Sequence, residues 1–197
     1  MKKVLALMGS PRINKNTDRL LTLMLKGIED KGHEISKVHI VKKKVLPCTG
    51  CNYCGKKGEC IIKDDMEEIY KGFDNSDIVI LAAPLYFNTV NSITKHVIDR
   101  CQKYWSIKYQ LGQNYKRNEN RIGVFLAVGG TDYSHEHFSA TIPTIDLFFK
   151  AINVEYRGNY FVSGTDKVPI EERKYIKEEL YEIGYNIDNI KNFYCHR

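Results

Sequence analysis

The chain has 197 residues, enough for one domain with a sizeable hydrophobic core. Hydrophobic residues make up 43% of it and charged residues 27%, which excludes a disordered or collagen-like chain. Basic and acidic residues are mixed along the chain, so the net charge of +6 does not predict nucleic-acid binding.

Short apolar runs alternate with segments of helical period. This order predicts an α/β protein with a doubly wound parallel sheet. Five strands separated by helices are what a flavodoxin-like sheet requires, and the strand order of that sheet is 2-1-3-4-5. The predicted strands cover residues 4–8, 35–41, 77–83, 122–128 and 154–162.

Apolar residues at helical spacing predict a helix after each of these strands. Asp64, three residues before Glu67, is expected to cap the helix that precedes the third strand. Pro143 is expected in the first turn of the next-to-last helix, and Pro169 at the start of the last one.

We expect residues 1–197 to form a single domain. Three segments lie outside its predicted strands and helices. These are a cysteine-rich loop at residues 47–63, a surface loop at 108–120 and a tail with little local structure at 186–197.

No apolar run approaches the ~20 residues needed to cross a bilayer, and the apolar stretch after Met1 is shorter than the core of a signal peptide. We therefore predict a cytoplasmic protein that does not enter a membrane. Because cytoplasmic thiols stay reduced, clustered cysteines there favour metal or redox chemistry over a disulfide scaffold.

Sheets of this kind bind ligands beyond the carboxyl ends of the strands where the strand order reverses. Here those ends lead into residues 9–17, 84–88 and 129–133. The first loop opens a helix, whose N-terminus favours an anion, and Arg12 and Lys15 add positive charge. Its glycine spacing is neither that of a dinucleotide site nor that of a P-loop, so we predict a phosphate monoester. A turn that only caps the helix is the alternative.

Two motifs resemble the NADPH-dependent FMN reductase branch of the flavodoxin superfamily: Ser-Pro-Arg at residues 10–12 followed by Asn-Thr at 16–17, and Pro-Leu-Tyr-Phe-Asn at 84–88. The resemblance implies FMN as cofactor and NAD(P)H as co-substrate. It implies that the first loop holds the phosphate and that the second lines the isoalloxazine ring, whose far side Gly129 and Gly130 close. No catalytic side chain is expected, because the cofactors carry the chemistry. The implied FMN-binding residues are Ser10, Arg12, Asn14, Asn16, Thr17, Pro84, Leu85, Tyr86, Phe87, Asn88, Gly129 and Gly130.

Four of the six cysteines follow the spacing C-x2-C-x2-C-x5-C, short enough for their thiolates to meet at one metal centre. The first three match the run typical of 4Fe-4S binding, whereas structural zinc usually takes two separated pairs. Zinc, a redox disulfide and an empty cysteine loop are the alternatives, and we expect Cys101 to be a buried apolar residue. The four predicted ligands are Cys48, Cys51, Cys54 and Cys60.

Together with the FMN motifs, the cysteines resemble the iron-sulfur flavoprotein subfamily, and the segment Cys-Ile-Ile-Lys-Asp-Asp-Met at residues 60–66 is similar to the sequence after its cluster. The resemblance implies an oxidoreductase that carries electrons between a reduced nicotinamide or ferredoxin-type donor, FMN and a 4Fe-4S cluster. It also implies a homodimer or homotetramer. The aromatic residues Tyr104, Trp105 and Tyr109 would suit a subunit surface, and they would equally suit packing within the chain. The alternatives are a cluster-free NAD(P)H-dependent reductase of FMN, quinones or nitro compounds and a zinc-stabilised, non-catalytic binding module.

Three further patterns receive structural interpretations. His135-x-His137 is expected in a solvated loop, because no third metal ligand belongs to the pattern. Asp99-Arg100 is explained by an ion pair at a helix end, and the lysines at 42–44 by a solvated face.

Overall fold

A computed structural model describes residues 1–116, 119–132 and 135–197. Within these ranges the chain forms seven strands, eight α-helices and three short 3₁₀ turns at Ile40–Lys42, Ile170–Glu172 and Ile187–Asn189. The strands are β1 (Lys3–Met8), β2 (Glu34–His39), β3 (Ile78–Tyr86), β4 (Thr89–Val90), β5 (Ile122–Val128), β6 (Glu155–Val162) and β7 (Phe193–His196). The helices are α1 (Asn16–Asp30), α2 (Cys54–Lys57), α3 (Met66–Asn75), α4 (Ser92–Arg100), α5 (Gln102–Tyr109), α6 (His135–Ser139), α7 (Ile142–Ala151) and α8 (Lys174–Tyr185).

The sheet has the order β2-β1-β3-β5-β6-β7 and all of these strands are parallel, while β4 pairs antiparallel with the end of β3. The predicted flavodoxin-like order is therefore confirmed for its five strands, but the predicted number of strands is wrong. Part of the segment predicted as an unstructured tail forms β7, which pairs with the exposed edge of β6. The main chain of Arg197 continues this pairing with Phe161 and Ser163.

Several predicted boundaries also shift. β3 runs three residues past its predicted end and carries Pro84 as a strand residue. β2 ends at His39, before a 3₁₀ turn. α5 continues to Tyr109, so the loop predicted from residue 108 begins later, and residues 117 and 118 lie outside the described ranges. Pro169 precedes a 3₁₀ turn, and α8 begins only at Lys174.

Side chains alternate across the sheet and supply one core on each face. In β1, Leu5 and Leu7 point into the core beneath α3, α5 and α7, and Val4, Ala6 and Met8 into the core beneath α1 and α8. Both faces of a parallel sheet are covered in this way, which explains its continuous apolar runs. Over the described residues, no helix combines the length and the apolar character needed to span a bilayer.

Candidate functional sites

The loops that follow β1, β3 and β5 meet around a cavity of about 780 Å³, here called the strand-end cavity. Its volume falls within the ~300–1,000 Å³ typical of ligand pockets. The loop after β6 and helix α6 complete its border. The bordering residues are Arg12, Leu85, Tyr86, Phe87, Asn88, Gly130, Thr131, His137 and Asp166.

The first loop is held against the start of α4. The carbonyl of Gly9 accepts hydrogen bonds from Asn91 Nδ2 at 2.8 Å and from Thr94 Oγ1 at 3.2 Å, both buried. Ser10 is buried, and its Oγ accepts the Arg12 backbone N–H at 3.1 Å. These bonds fix the turn that presents Arg12, whose side chain is exposed, at the cavity border.

The other predicted phosphate residues occupy different positions. Asn16 donates through Nδ2 to the Thr165 carbonyl and accepts the Ile170 N–H through Oδ1, so its side chain ties the loop to the segment after β6. Thr17 is buried in the first turn of α1. Asn14 lines a separate depression and has a left-handed φ of 59°, and its backbone N–H donates to Asp18.

The hairpin between β3 and β4 forms one wall of the strand-end cavity. Pro84 and Leu85 are buried at the base of the hairpin. Tyr86 is partly exposed, and Phe87 is 99% exposed. Phe87 and Asn88 both have positive φ angles, 50° and 61°, as a two-residue hairpin turn of type I′ requires. Phenylalanine rarely adopts this conformation, so the hairpin holds an aromatic ring at the cavity at a conformational cost.

Two bordering residues, His137 and Asp166, were not predicted, whereas Thr131 lies in the predicted third loop. Gly130 lies so close to the Asp166 carboxylate that a Cβ at position 130 would collide with it. His137 belongs to α6 rather than to a solvated loop, and the side chain of His135 lies outside the described residues, as does Tyr133 of the predicted third loop. Residues 163–166 follow β6 at the same sheet edge, a position that the switch-point argument could have included.

A second cavity, of about 500 Å³, is bordered by all four clustered cysteines and is here called the cysteine cavity. The C-terminal end of α4 and the start of α5 form its inner wall through Asp99, Arg100, Gln102 and Lys103. The loop residues at its border are Cys48, Thr49, Gly50, Cys51, Asn52, Cys54, Cys60, Ile61 and Ile62.

The chemistry of this cavity suits a group bound by soft, anionic ligands. All of its cysteines are free thiols. The backbone N–H of Tyr53 and the side chain of Thr49 lower the pKa of Cys51, which favours the thiolate. Within the described residues, no three His, Cys, Asp or Glu side chains come together around a point where a single ion could bind. Four free thiols border one cavity, a ligand set that suits either zinc or an iron-sulfur cluster.

Arg100 lies beneath the cysteine loop and is fully buried. Its guanidinium donates to both oxygens of Asp64, at 2.8 and 3.2 Å. Arg100 therefore forms an ion pair at the end of α4, as expected, but its partner is Asp64, which lies just before α3. Asp99 pairs instead with Lys95. Burial by itself would raise the pKa of Asp64, but hydrogen bonds from Arg100 and the Leu46 and Met66 amides outweigh it, and the pKa is lowered.

Three further predictions can be compared with the observed burial and contacts. Asp64 accepts the Met66 N–H at the start of α3, but its carboxylate is chiefly engaged by Arg100 rather than in a capping box. Of the three aromatic residues expected at a subunit surface, Tyr104 is buried and donates to Asp74, while Trp105 and Tyr109 are exposed, with ring centroids 5.4 Å apart. Cys101 is buried as predicted, and burial raises the pKa of its thiol.

Residues 2–162 match the family model for NADPH-dependent FMN reductase. The chain belongs to this family. It is 35% identical over 147 residues to an iron-sulfur flavoprotein of Methanocaldococcus jannaschii, an alignment that covers 75% of this chain and 71% of that protein. The chain is thus a member of the iron-sulfur flavoprotein subfamily, and the family is one of flavin-dependent oxidoreductases.

An iron-sulfur flavoprotein of Archaeoglobus fulgidus is 44% identical over 102 residues, which are 52% of this chain but only 46% of that relative. Solved structures share the fold at low sequence identity. The NAD(P)H:quinone oxidoreductase of Methanothermobacter marburgensis matches with a TM-score of 0.72 at 14% identity, covering 96% of this chain and 98% of that chain. An FMN-dependent NADH-azoreductase of Bacillus anthracis matches with a TM-score of 0.71, also at 14% identity.

Proposed function

We propose that this family member carries electrons between a reduced nicotinamide or a ferredoxin-type protein, FMN and a 4Fe-4S cluster. The observation that carries the proposal is that one chain forms two separate cavities of different chemistry. One combines an arginine with aromatic side chains at the carboxyl edge of the sheet. The other is bordered by four free thiols.

The strand-end cavity fits FMN. Arg12 would bind the phosphate together with the N-terminus of α1, while buried Ser10 and Thr17 and half-buried Asn16 hold the loop around it. Asn14 would shape this loop through its left-handed backbone. The ring would lie against the residues of the β3–β4 hairpin, and Gly129 and Gly130 would leave space for its far side. The hairpin residues in this role are Pro84, Leu85, Tyr86, Phe87 and Asn88.

The cysteine cavity fits a cluster ligated by Cys48, Cys51, Cys54 and Cys60. When bound, FMN would exchange a hydride with a nicotinamide and the cluster would exchange single electrons. The C-terminal end of α4 borders the cysteine cavity, and the hairpin that borders the strand-end cavity leads into the start of this nine-residue helix, whose length is ~13 Å at 1.5 Å per residue. The chain itself would position the two groups, with no side chain acting as an acid or base.

A protein partner would meet positive charge near the cysteine cavity. Lys56 and Lys57 are exposed on α2, and Lys103 borders the cavity. Such a surface favours an acidic partner such as a ferredoxin-type carrier, with an association rate that falls as salt rises. We also propose a homodimer or homotetramer in which the exposed Trp105 and Tyr109 are covered.

Anaerobic purification or reconstitution, followed by assays for flavin, iron and sulfide and an absorption spectrum, tests the proposal. We expect flavin bands on a broad shoulder near ~400 nm that bleaches on reduction, as thiolate-bound iron-sulfur clusters show. Bound FMN with iron near zero would contradict the cluster and leave a reductase. Absence of FMN after reconstitution would contradict the whole proposal.

One alternative is a cluster-free NAD(P)H-dependent reductase of FMN, quinones or nitro compounds, in which the cysteine loop stays empty. This reductase would keep the flavin bands and its turnover would not change when the cysteines are replaced. A zinc-stabilised binding module would instead be colourless and contain zinc.

A further inference from the structure

Arg100 contacts both ends of the cysteine loop, residues 47–63. One of its terminal nitrogens, Nη1, donates to the Leu46 carbonyl at 3.0 Å, just before the loop. The other, Nη2, donates to the Ile62 carbonyl at 3.1 Å, at the end of the loop. A single planar guanidinium therefore fixes the distance between the chain segments that enter and leave the loop.

Asp64 completes this arrangement. Its carboxylate accepts both Arg100 bonds and also the N–H groups of Leu46, at 2.8 Å, and of Met66, at 3.0 Å. Both backbone polar groups of Leu46 are thus bound by the ion pair. The side chains of Arg100 and Asp64 are 0% and 3% exposed, so water does not compete for these bonds.

One donor of Arg100 remains unused. Its Nε is buried and has no acceptor within the part of the chain that the structure describes. Arg100 also borders the cysteine cavity, so a buried cation lies in the wall next to the four thiols. Thiolates and sulfides are anionic, and hydrogen bonds to them help to set the reduction potential of a cluster.

We infer that Arg100 is the positioning residue of the cysteine cavity. It holds the ends of the loop so that the four thiols face one space before any metal binds, and it offers its Nε–H to the anionic sulfur held there. The second role rests on the proposed cluster, whereas the first concerns the chain alone.

The first role is tested by hydrogen exchange in the metal-free protein. Arg100→Lys keeps the charge but cannot bind two carbonyls and a carboxylate as a planar fork. Amides of residues 47–63 should then exchange faster by on the order of 10- to 100-fold. This change corresponds to the loss of one or two charge-assisted hydrogen bonds. Unchanged exchange in this loop would overturn the positioning role.

Arg121 offers a matched control. It is equally buried, and it too donates to backbone carbonyls, those of Phe73, Ser76 and Ile152, away from the cysteine loop. Arg121→Lys should leave the relative exchange of residues 47–63 unchanged. If both variants accelerate the loop equally, the effect of Arg100 is one of general stability and the inference is overturned. If Arg100→Lys does not fold, Asp64→Asn is the variant to measure, because it retains the arginine. Amides of residues 47–63 should then exchange faster than in the wild type, by less than the change expected for Arg100→Lys. Unchanged exchange would count against the inference.

The second role is tested after reconstitution with iron and sulfide. Arg100→Met removes the charge and the donor, so the reduction potential should shift to more negative values and a chelator should remove the iron faster than from the wild type or from Arg121→Met. An unchanged potential would overturn the donor role. If the wild type takes up no iron, the proposed cluster and the donor role both fail, while the exchange experiment still decides the positioning role.

Discussion

The strand-end cavity and the cysteine cavity are formed by different means. The first follows from topology, because parallel strands deliver their loops to one edge of the sheet. The second consists of an inserted loop whose ends are held by a buried ion pair between distant elements. We therefore expect the two cavities to respond independently to substitution.

The largest effect is expected from removing one thiol. Cys54→Ser should reduce cluster iron and sulfide after reconstitution to near zero, because a serine hydroxyl is a poor ligand for iron-sulfur clusters, while FMN binding is retained. Assays of iron, sulfide and flavin per chain measure both. Cys195→Ser, in β7 and away from the cavity, should retain both cofactors. Loss of FMN together with iron would show that the cavities depend on each other.

Next in size is the loss of the buried carboxylate. Asp64→Asn leaves Arg100 without its counter-charge and should lower the free energy of unfolding by about 3 kcal/mol. Asp99→Asn, which removes an exposed partner of Lys95, should cost about 0.5 kcal/mol or less. Urea denaturation at neutral pH gives both values, and equal costs would contradict the role assigned to the buried pair.

The same variant has a defined pH dependence. The folded-state pKa of Asp64 is lowered from its ordinary value of 3.8, so the carboxylate stabilises the fold above that value and loses its effect as the pH falls through the lowered pKa. The stability difference between the wild type and Asp64→Asn should therefore shrink below pH 3.8. A difference that stays constant down to the acid transition would contradict this assignment.

A smaller, local effect is expected at the strand-end cavity. Arg12→Met should weaken FMN binding by on the order of 10- to 100-fold, because one charged hydrogen bond to the phosphate is lost. Riboflavin, which lacks the phosphate, should bind the variant as it binds the wild type. Arg19→Met is the control, since Arg19 pairs with Glu171 at a separate depression. Equal weakening of both ligands would place the phosphate elsewhere.

The smallest effect concerns backbone strain in the hairpin. Phe87→Asn replaces a fully exposed ring at φ 50° with a residue that tolerates left-handed geometry, and it should stabilise the fold by about 1 kcal/mol. FMN should bind more weakly if the ring of Phe87 contacts the flavin. Thermal unfolding and a flavin titration separate the two effects, and a destabilised variant would show that Phe87 makes contacts within the fold.

The sequence pattern predicted those segments whose structure is determined mainly by residues close to them along the chain. The apolar runs of β1 and β5 and the loops that follow them could be predicted, because such runs are buried on both faces of a parallel sheet. β7 could not, since four residues become a strand only against the edge of β6. The bond between Arg100 and Asp64 joins residues 36 positions apart, and no local spacing indicates such a pair.

The same reasoning applies to the candidate site residues. Arg12 and residues 85–88 border the strand-end cavity because topology brings their loops together. Asp166 was not predicted, because β6 was not considered among the strands at the switch point. The carboxyl end of β6 nevertheless lies beside that of β5. The thiols were predicted from their spacing, whereas the cation beneath them depends on the tertiary fold.

The most direct test of two cofactors in two cavities is the stoichiometry of anaerobically reconstituted protein. We predict one FMN with about four iron and four sulfide per chain, as a single 4Fe-4S cluster requires. Cys54→Ser should lose the iron and sulfide while keeping the flavin. Bound FMN with iron near zero in the wild type would contradict the presence of two cofactors.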